Sequence, residues 1–353
     1  MNWQQALCHT LMHSLWEGLL LAVLAGVIIT LTRHSSSATR YRWLVAVLFL
    51  YTAAVLFTFI AEMSGGVVAP DGFVYGVRAI NEHSNAVALG WFVSISILAG
   101  RMLFNLYLAG RLKKVKVSEP EKQWLRKVEK LGVDLGIKRP LVLLESAIAE
   151  VPLVIGYLKP VVLMPMGLLN NLKQDEAEAI LLHELAHILR KDYLVNIIQT
   201  VLEILFFFNP AVNWVSSLIR GERENCADDI VVSHTCDPAG YLRAMIRFEE
   251  YRRGVRPFAF AFTGSGGSVL FRMERMVAGT NRFLTKLESF VLALFLALGV
   301  LFLCFRPAFS LRTPDQPASF TAEAKAMEMK RKAEANAYVQ ELSKNSGKNY
   351  PQQ

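Results

Sequence analysis

Four long apolar stretches constrain this chain more than any other feature of its sequence. They cover residues 11–31, 43–61, 86–109 and 287–305. A helix needs about 20 predominantly apolar residues to cross the hydrocarbon core of a bilayer. The sequence therefore predicts an α-helical polytopic membrane protein with about four spans. Three of them form a membrane region at 1–110, and a fourth transmembrane helix covers 287–305.

The composition excludes two other classes of protein. Hydrophobic residues make up 53% of the chain and charged residues 19%, whereas disordered chains are poor in apolar residues. Four scattered cysteines form no disulfide framework of the kind that small secreted domains need. We do not expect the first stretch to be a cleaved signal peptide, because no Lys or Arg precedes it and its apolar run is too long.

Basic residues predict the orientation of the spans. Cytoplasmic loops of membrane proteins carry an excess of Lys and Arg. The clusters here are Arg33, Arg40 and Arg42, then Arg111, Lys113, Lys114 and Lys116, and finally Arg272, Arg275, Arg282 and Lys286. All lie on one side if the N-terminus is outside, which makes 111–286 cytoplasmic and 306–353 a short extracytoplasmic tail. We expect the run at 111–116 to contact anionic lipid and predict no direct nucleic acid binding.

The cytoplasmic segment combines strands and helices. Short apolar runs at 141–144, 151–157 and 161–164 predict strands, the last two joined by a tight turn around Lys159-Pro160. A helix is expected from about Lys173. An exposed edge of this strand pair could align an extended peptide by main-chain hydrogen bonds, or the pair could simply pack the helix.

The predicted helix carries His183, Glu184 and His187 in the order His-Glu-x-x-His. Residues four apart lie on one helix face, so both imidazoles can reach one ion. Glu184 flanks that position and can act as a general base toward water. Zinc is the expected metal because it accepts imidazole and carboxylate ligands and keeps one position open. The alternative is a helix with two surface histidines beside ordinary acidic residues.

A second acidic pair can complete this site. Glu224 and Asp228 are four residues apart downstream. Glu224 is the expected third metal ligand, and Asp228 is expected to accept a hydrogen bond from the outer ring nitrogen of a ligand histidine. Glu222 is the competing ligand, but it has Cys226 instead of an acid one turn later. The alternative is a solvated charged face with Glu–Arg pairs.

The apolar segment 193–218 separates the two halves of the site. A single bilayer crossing here would put Glu224 and His183 on opposite sides of the membrane, where one ion could not bind both. We therefore expect a shallow, membrane-dipping helical hairpin that turns at Asn209-Pro210. The polar residues of its first arm should face protein, where they cost less than in lipid; they are Asn196, Gln199 and Glu203. Arg101 is a hypothetical partner of Glu203.

Together these motifs resemble the gluzincin pattern, and the wider sequence is similar to the BlaR/MecR-type membrane antirepressor zinc metallopeptidases. The matching pieces are 13–18, the 151–165 hairpin, 208–212 and 223–228. The resemblance covers roughly residues 1–310. It implies a bacterial cytoplasmic membrane protein with a zincin-like α+β domain at 111–286, in which His183, His187 and Glu224 bind zinc and Glu184 is the catalytic base.

The resemblance also implies a function in transmembrane signalling. An event outside activates the zinc site, which cleaves the protein itself or leads to cleavage of a cytoplasmic transcriptional repressor of the penicillinase-repressor type. A homodimer is one candidate assembly. The tail 306–353 is too short for a penicillin-binding sensor domain and contains no Ser-x-x-Lys motif, so we do not carry over β-lactam sensing.

Two other functions fit the same sequence. One is an HtpX-like quality-control protease that degrades many misfolded membrane proteins. The other is a proteolytically silent receptor or scaffold that keeps the metal for structure. A further set of residues repeats every four positions in the first span: His9, His13 and Glu17. They could form a second metal site, but a polar packing face against another span is the favoured interpretation.

Overall fold

The computed structural model describes residues 2–64, 74–156, 159–255, 265–281, 284–304, 327 and 329–333. The chain divides into two compact units, Met1–Leu296 and Ala297–Gln353. The first unit contains the strands and the predicted metal site. Most of the predicted tail 306–353 lies outside the described residues.

Three helices near the N-terminus coincide with the first three apolar stretches. They are α1 (Trp3–Leu31), α2 (Ser37–Met63) and α3 (Val74–Leu112). Within the described residues, α1, α2 and the part of α3 from His83 to Leu112 are long and apolar enough to cross a membrane. The stretch 287–305 corresponds to α11 (Lys286–Cys304), except for residue 305, which lies outside the described residues. That α11 crosses the membrane stays a prediction.

The remaining elements follow α3 in the chain. The strands are β1 (Val117–Ser118), β2 (Val142–Ser146), β3 (Leu153–Ile155) and β4 (Val161–Pro165). The helices are α4 (Lys122–Asp134), α5 (Leu168–Asn171), α6 (Gln174–Arg190), α7 (Asp192–Leu205), α8 (Pro210–Thr235), α9 (Pro238–Val255) and α10 (Ser265–Ala278). This region contains both short strands and helices, and its assignment as a zincin-like α+β domain at 111–286 stays a prediction.

The strands form one sheet in the order β1-β2-β4-β3. The predicted pairing of β3 with β4 is antiparallel, with Val154 opposite Val162. β2 runs parallel to β4, and β1 pairs antiparallel with β2. β4 is central and all five of its residues are buried, whereas β3 lies at an edge of the sheet. That edge is next to α6.

The segment 193–218 folds as a helical hairpin of α7 and the first half of α8. Asn209 ends the turn: its Oδ1 accepts hydrogen bonds from the backbone nitrogens of Ala211 (3.0 Å) and Val212 (3.4 Å). This caps the N-terminus of α8, where Pro210 occupies the first turn without needing an N–H. The chain therefore turns at Asn209-Pro210, as expected, and the membrane-dipping position of this hairpin stays a prediction.

The tip of this hairpin lies against α1 and α2. The Asn209 side-chain amide donates to the backbone oxygen of Ser14 (2.8 Å) and to the hydroxyl of Tyr51 (2.9 Å). Gly18 makes room for this amide, because a Cβ at that position would lie 2.5 Å from the Asn209 nitrogen. The hairpin tip is thus held by protein groups of both membrane helices.

The polar residues of α7 face α8, as expected. Gln199 donates to the backbone oxygen of Ser216 (2.7 Å), Asn196 accepts from Arg223 (3.0 Å), and Glu203 pairs with Arg220. The hypothetical pair of Arg101 and Glu203 is wrong, because the partner of Glu203 is on α8 and Arg101 is exposed on α3. Glu203 pairs with Arg220 because α7 packs against α8, a contact that motif spacing does not predict.

Two hydrophobic cores share α8. The first packs α6 against the sheet, α4 and α9, and includes Leu181, Leu185 and Val231. The second lies among α1, α2, α7 and α8; its α8 members are Val212, Val215 and Ile219. The C-terminal half of α8 therefore packs in the core of the α+β segment, and its N-terminal half packs among the membrane helices.

Candidate metal centre

Helix α6 begins and ends at residues suited to those positions. The backbone nitrogen of Lys173 donates to the Glu176 carboxylate (3.2 Å), and Asp175 and Glu176 lie at the positive end of the helix dipole. Lys191 ends the helix in the left-handed conformation, with φ of 61°. The apolar face of α6 is buried in the first core. This fixes the helix so that His183 and His187 face α8.

The structure brings the three predicted ligands together. The Nε2 atoms of His183 and His187 are 3.3 Å apart. The Glu224 Oε2 atom lies 3.4 Å from Nε2 of His183 and 3.8 Å from Nε2 of His187. Ligand atoms about 2.0–2.2 Å from a shared ion at tetrahedral angles lie about 3.3–3.6 Å from one another. The three residues therefore fit one small cation, and within the described residues they form the only cluster of this kind.

Carboxylates on the far side of both rings support this arrangement. His187 Nδ1 lies 2.8 Å from Asp192 Oδ2. A proton on this Nδ1 is donated to Asp192, which leaves the Nε2 lone pair directed at the ion position. Asp192 follows the turn at Lys191 and is buried. It thus orients the His187 ring.

His183 is supported by a longer chain of contacts. Its Nδ1 lies 3.0 Å from the hydroxyl of Tyr241 and 3.3 Å from Oδ1 of Asp228. The Tyr241 hydroxyl donates to the same Asp228 oxygen (2.7 Å), so it accepts from His183 and links the ring to the carboxylate. Asp228 therefore lies where the sequence predicted it, but Tyr241 is the nearer partner of the imidazole.

Arg272 of α10 binds the other side of Asp228. Its Nε donates to Oδ2 at 2.8 Å and a terminal nitrogen to Oδ1 at 2.5 Å, while its other terminal nitrogen lies 3.6 Å from Glu224 Oε2. Burial acts to raise the pKa of Asp228, but the Arg272 charge and the hydrogen bond with His183 outweigh it and hold this pKa well below its usual range. Asp228 is therefore a stable anion beside the site.

The same charges change the pKa values of the ligands. Burial acts to lower the pKa of His183, but Asp228 and Glu224 raise it to about 9. Burial acts to raise the pKa of Glu224, but the hydrogen bond with His183 and the charges of His187 and Arg272 lower it to about 2. The electrostatics favour a positive charge between the imidazoles and the carboxylate, which a proton or a metal ion can supply.

Two clefts meet at Glu184 and Glu224. One is bordered by His187, Asp192 and Arg223 and by Val154 and Gly156 of the β3 region. The other is bordered by His183, Tyr241 and Arg272 and by Val151 and Pro152, which precede β3. Glu184 is partly exposed and lines both clefts. Its carboxylate can therefore meet a substrate that extends along β3 from one cleft to the other.

Glu222, the competing ligand, faces away from the cluster. It is buried, and its Oε1 lies 3.0 Å from Nε of Arg40 on α2. Its other carboxylate oxygen accepts from Asn225 at 3.3 Å. Glu224, two residues later, is the carboxylate that reaches the histidines.

Sequence reasoning missed three residues that support the ligands. Asp192 could have been found, because an acid five residues after His187 and just beyond the helix end can reach the ring. Tyr241 and Arg272 lie on α9 and α10, and no spacing rule relates them to His183. Their positions depend on how those helices pack against α8.

Comparison with known proteins finds a peptidase family. The family model of the BlaR1 peptidase M56 matches residues 3–262. The regulatory protein BlaR1 of Bacillus licheniformis is 27% identical over 154 residues, which are 43% of this chain and 25% of that protein. The methicillin resistance mecR1 protein of Staphylococcus aureus is 26% identical over 137 residues, 39% of this chain and 21% of that protein.

The chain is also similar to a second group of proteins, which are named Protease HtpX. Protease HtpX of Haemophilus ducreyi is 31% identical over 128 residues, which are 33% of this chain and 41% of that protein. The matched region spans about a quarter of the BlaR1 relative. The family model, in contrast, covers most of the present chain and includes all three clustered residues, His183, His187 and Glu224. The chain belongs to the BlaR1 peptidase M56 family.

Proposed function

We propose that the protein is a membrane-embedded zinc endopeptidase that acts in transmembrane signalling. In this proposal it cleaves itself, or leads to cleavage of a cytoplasmic transcriptional repressor. The observation that carries the proposal is the convergence of His183, His187 and Glu224 beside Glu184, where two clefts meet. Membership of a peptidase family and similarity to regulatory proteins support it.

Zinc suits this donor set best, because two imidazoles and one carboxylate are its usual ligands in sites that retain an open position. When bound, the ion supplies Lewis-acid chemistry that polarises a carbonyl group and makes water more acidic. Asp192 and the Tyr241–Asp228 pair hold the two histidine rings in the tautomer that can bind it. We assign the metal-binding role to His183, His187 and Glu224.

Glu184 is the proposed general base. It lines both clefts and follows the first ligand directly in the chain, so it lies at the ion position without being needed as a ligand. A carboxylate here can take a proton from the attacking water and pass it to the leaving amine of the cleaved peptide. This contribution accounts for about 10²–10⁴ of the rate acceleration.

The edge strand β3 is the proposed guide for the substrate. It pairs with β4 on one side, and no strand among the described residues pairs with its other side. Both clefts border the β3 region. An extended peptide that adds to this edge would place its backbone across Glu184, with main-chain hydrogen bonds setting its register.

The proposed topology follows the basic clusters. Segment 111–286 is cytoplasmic, α11 is the fourth span, and the N-terminus and the tail 306–353 are outside. A signal from outside would then reach the metal centre through the membrane helices, on which the α7–α8 hairpin packs. The similarity to Protease HtpX favours a second candidate, a quality-control protease of the same membrane.

The test is Glu184→Gln in the full-length protein purified in detergent and loaded with zinc. We expect peptide hydrolysis to fall by about 10²–10⁴-fold while the zinc content stays unchanged. Glu178→Gln is the matched control, because Glu178 lies on the same helix and pairs with Lys127, away from the clefts. Unchanged hydrolysis in Glu184→Gln would contradict the role of Glu184 as general base, whereas an unchanged cellular output of Glu184→Gln would favour a proteolytically silent receptor or scaffold.

The two protease functions differ in the number of substrates. Membrane and cytoplasmic proteins of cells with the wild-type protein should be compared with those of cells with Glu184→Gln. We expect cleavage of this protein itself or of a single regulator. Broad accumulation of many membrane proteins in the Glu184→Gln cells would instead support quality control.

A further inference from the structure

Helix α8 runs alongside α2 before it reaches the candidate metal centre. Asn209, at the start of α8, donates to Tyr51 of α2. The next turns of α8 pack against α2 in the second core. Arg40, near the other end of α2, then pairs with Glu222. The two helices are thus antiparallel neighbours, and this ion pair lies two residues before Glu224 on α8.

The Arg40–Glu222 pair is deeply buried. The exposed fractions of the two side chains are 2% and 7%, and the Arg40 Nε atom lies 3.0 Å from Oε1 of Glu222. Asn225 holds the other carboxylate oxygen. Replacing such a pair by apolar residues often leaves stability unchanged or increases it, so stability alone is a weak reason for having one. A buried pair can instead specify the orientation of the elements that it joins.

The orientation it defines is the rotation of α8 about its axis. Successive residues of an α-helix are about 100° apart, so Glu222 and Glu224 point to nearly opposite sides. Glu222 points to α2 and Glu224 points to the histidines of α6. A rotation of about 10° moves an atom about 6 Å from the axis by about 1 Å. That displacement is enough to disturb the 3.4 Å and 3.8 Å separations from the histidines.

Further contacts near the same end of α2 also constrain the rotation of α8. Arg275 of α10 donates to the hydroxyl of Ser37 and pairs with Asp229 of α8. Asp229 is seven residues after Glu222 and therefore lies on the same face of α8. The face of α8 opposite Glu224 thus has charged partners from both α2 and α10.

We propose that Arg40 of the membrane helix α2 is a positioning residue for the metal centre, which through Glu222 fixes the rotation of α8 that presents Glu224 to His183 and His187. The proposal rests on the proposed function in one respect only, which is that the bound metal serves catalysis. It makes the geometry of the third ligand depend on a helix capable of crossing the membrane. Movement of α2 relative to α6 then changes metal coordination.

The test measures metal binding in the full-length protein in detergent. Arg40→Met should lower zinc affinity at least about tenfold in competition with a chelator, as loss of supporting contacts around ligands typically does. It should also change the visible absorption spectrum of the cobalt-loaded protein, which reports ligand geometry. Arg40→Lys keeps the charge and should recover part of both. Arg40→Met with the affinity and the spectrum of the wild type would overturn the proposal.

Arg40→Met leaves the Glu222 carboxylate buried, so it could fail to fold. The double variant Arg40→Met with Glu222→Met removes both charges and keeps an apolar contact. We expect it to fold and still to show weaker zinc binding and an altered cobalt spectrum, because an apolar contact does not fix the rotation. Wild-type values in this variant would refute the positioning role.

Arg243→Met is the matched control, because Arg243 pairs with Asp237 on the surface, where both side chains are more than half exposed. It should leave zinc affinity and the cobalt spectrum unchanged. Neither readout requires peptide hydrolysis. If the wild-type protein binds zinc and cleaves no peptide, the proposed function fails while the comparison of Arg40 variants still decides this inference.

Discussion

Two clusters in this protein place a pair of histidines four residues apart beside a glutamate, one on α6 and one on α1. On α6, the Nε2 atoms of His183 and His187 face each other at 3.3 Å, with Glu224 beside both. On α1, His9 presents Nδ1 to one oxygen of Glu62 at 3.2 Å, and His13 presents Nε2 to the other at 3.6 Å. In the α1 cluster each ring faces a different oxygen of one carboxylate, and these three described residues do not form a group that could hold one ion.

The two clusters differ in what the second ring nitrogen, the one that points away from the cluster's glutamate, contacts in His187 and in His13. Nδ1 of His187 faces the Asp192 carboxylate, so Nε2 keeps its lone pair for a cation. Nδ1 of His13 accepts a hydrogen bond from the indole nitrogen of Trp16 at 2.9 Å, so in the neutral ring Nε2 carries the proton and is a donor toward Glu62. Spacing brings two histidines together, but their second partners decide whether they can bind a metal.

Glu17, which the sequence groups with His9 and His13, has a different partner. Its carboxylate accepts a hydrogen bond from the hydroxyl of Thr58 on α2 at 2.7 Å. This contact and the Glu62 contacts join α1 to α2. They support the interpretation of this set as a polar packing face between spans.

Metal content is the most direct test of the difference between the α6 and α1 clusters. We expect one zinc ion per chain in the purified protein, none in His183→Ala with His187→Ala, and one in His9→Ala with His13→Ala. Elemental analysis of protein in detergent measures all three. Two ions in the wild type, with one lost in the α1 variant, would show that the α1 cluster also binds metal.

Removing the residues that contact Nδ1 of His187 and His183 should reduce zinc affinity without abolishing binding. Asp192→Asn and Tyr241→Phe should each weaken zinc binding by about 10–100-fold, because the ring loses the contact that sets its tautomer and orientation. Chelator competition measures the change. Trp16→Phe removes the corresponding partner of His13 and should leave zinc affinity unchanged. Equal affinity in all three variants would show that the far nitrogens do not distinguish the two clusters.

The smallest expected effect is a pH dependence of the stability of the metal-free protein. The carboxylates around His183 raise its pKa to about 9 against the opposing effect of burial, whereas an unperturbed histidine has a pKa of about 6.5. Protonated His183 therefore stabilises the fold fully below about pH 6.5, and this contribution is lost as the pH rises through about 9.

Thermal unfolding of chelator-treated protein measures this effect. The Tm should fall between about pH 6.5 and 9, and zinc should reduce the fall because the ion takes the place of the proton. His183→Gln should show a weaker dependence in this range. A metal-free wild type whose Tm stays constant or rises over this interval would contradict the assignment.

The sequence predicts the centre of the site well because its geometry is local. His183 and His187 lie on one helix face, and the four-residue interval from Glu224 to Asp228 favours Glu224 over Glu222 before any tertiary contact is known. The tertiary contacts then place Glu222 on Arg40 and Glu224 at the histidines. Helix period predicts the candidate ligands here, and the packing of α8 brings them together.

The less predictable parts depend on contacts between distant segments. The β3–β4 hairpin follows from adjacent apolar runs, but the parallel pairing of β2 with β4 joins strands separated by β3. Tyr241 and Arg272 reach the site only because α9 and α10 pack beside α8. Neither hydrophobic period nor motif spacing contains that information.

The sharing of α8 between two hydrophobic cores limits how the protein can be divided. A fragment that starts at residue 111 would keep Val231 in its native surroundings, yet it would expose Val212, Val215 and Ile219, which pack among α1, α2 and α7. Exposed side chains of this kind promote aggregation. The residues of the candidate metal centre and the N-terminal apolar helices are therefore tied together by α8, and a truncation that lacks α1 and α2 would be a poor surrogate for the whole protein.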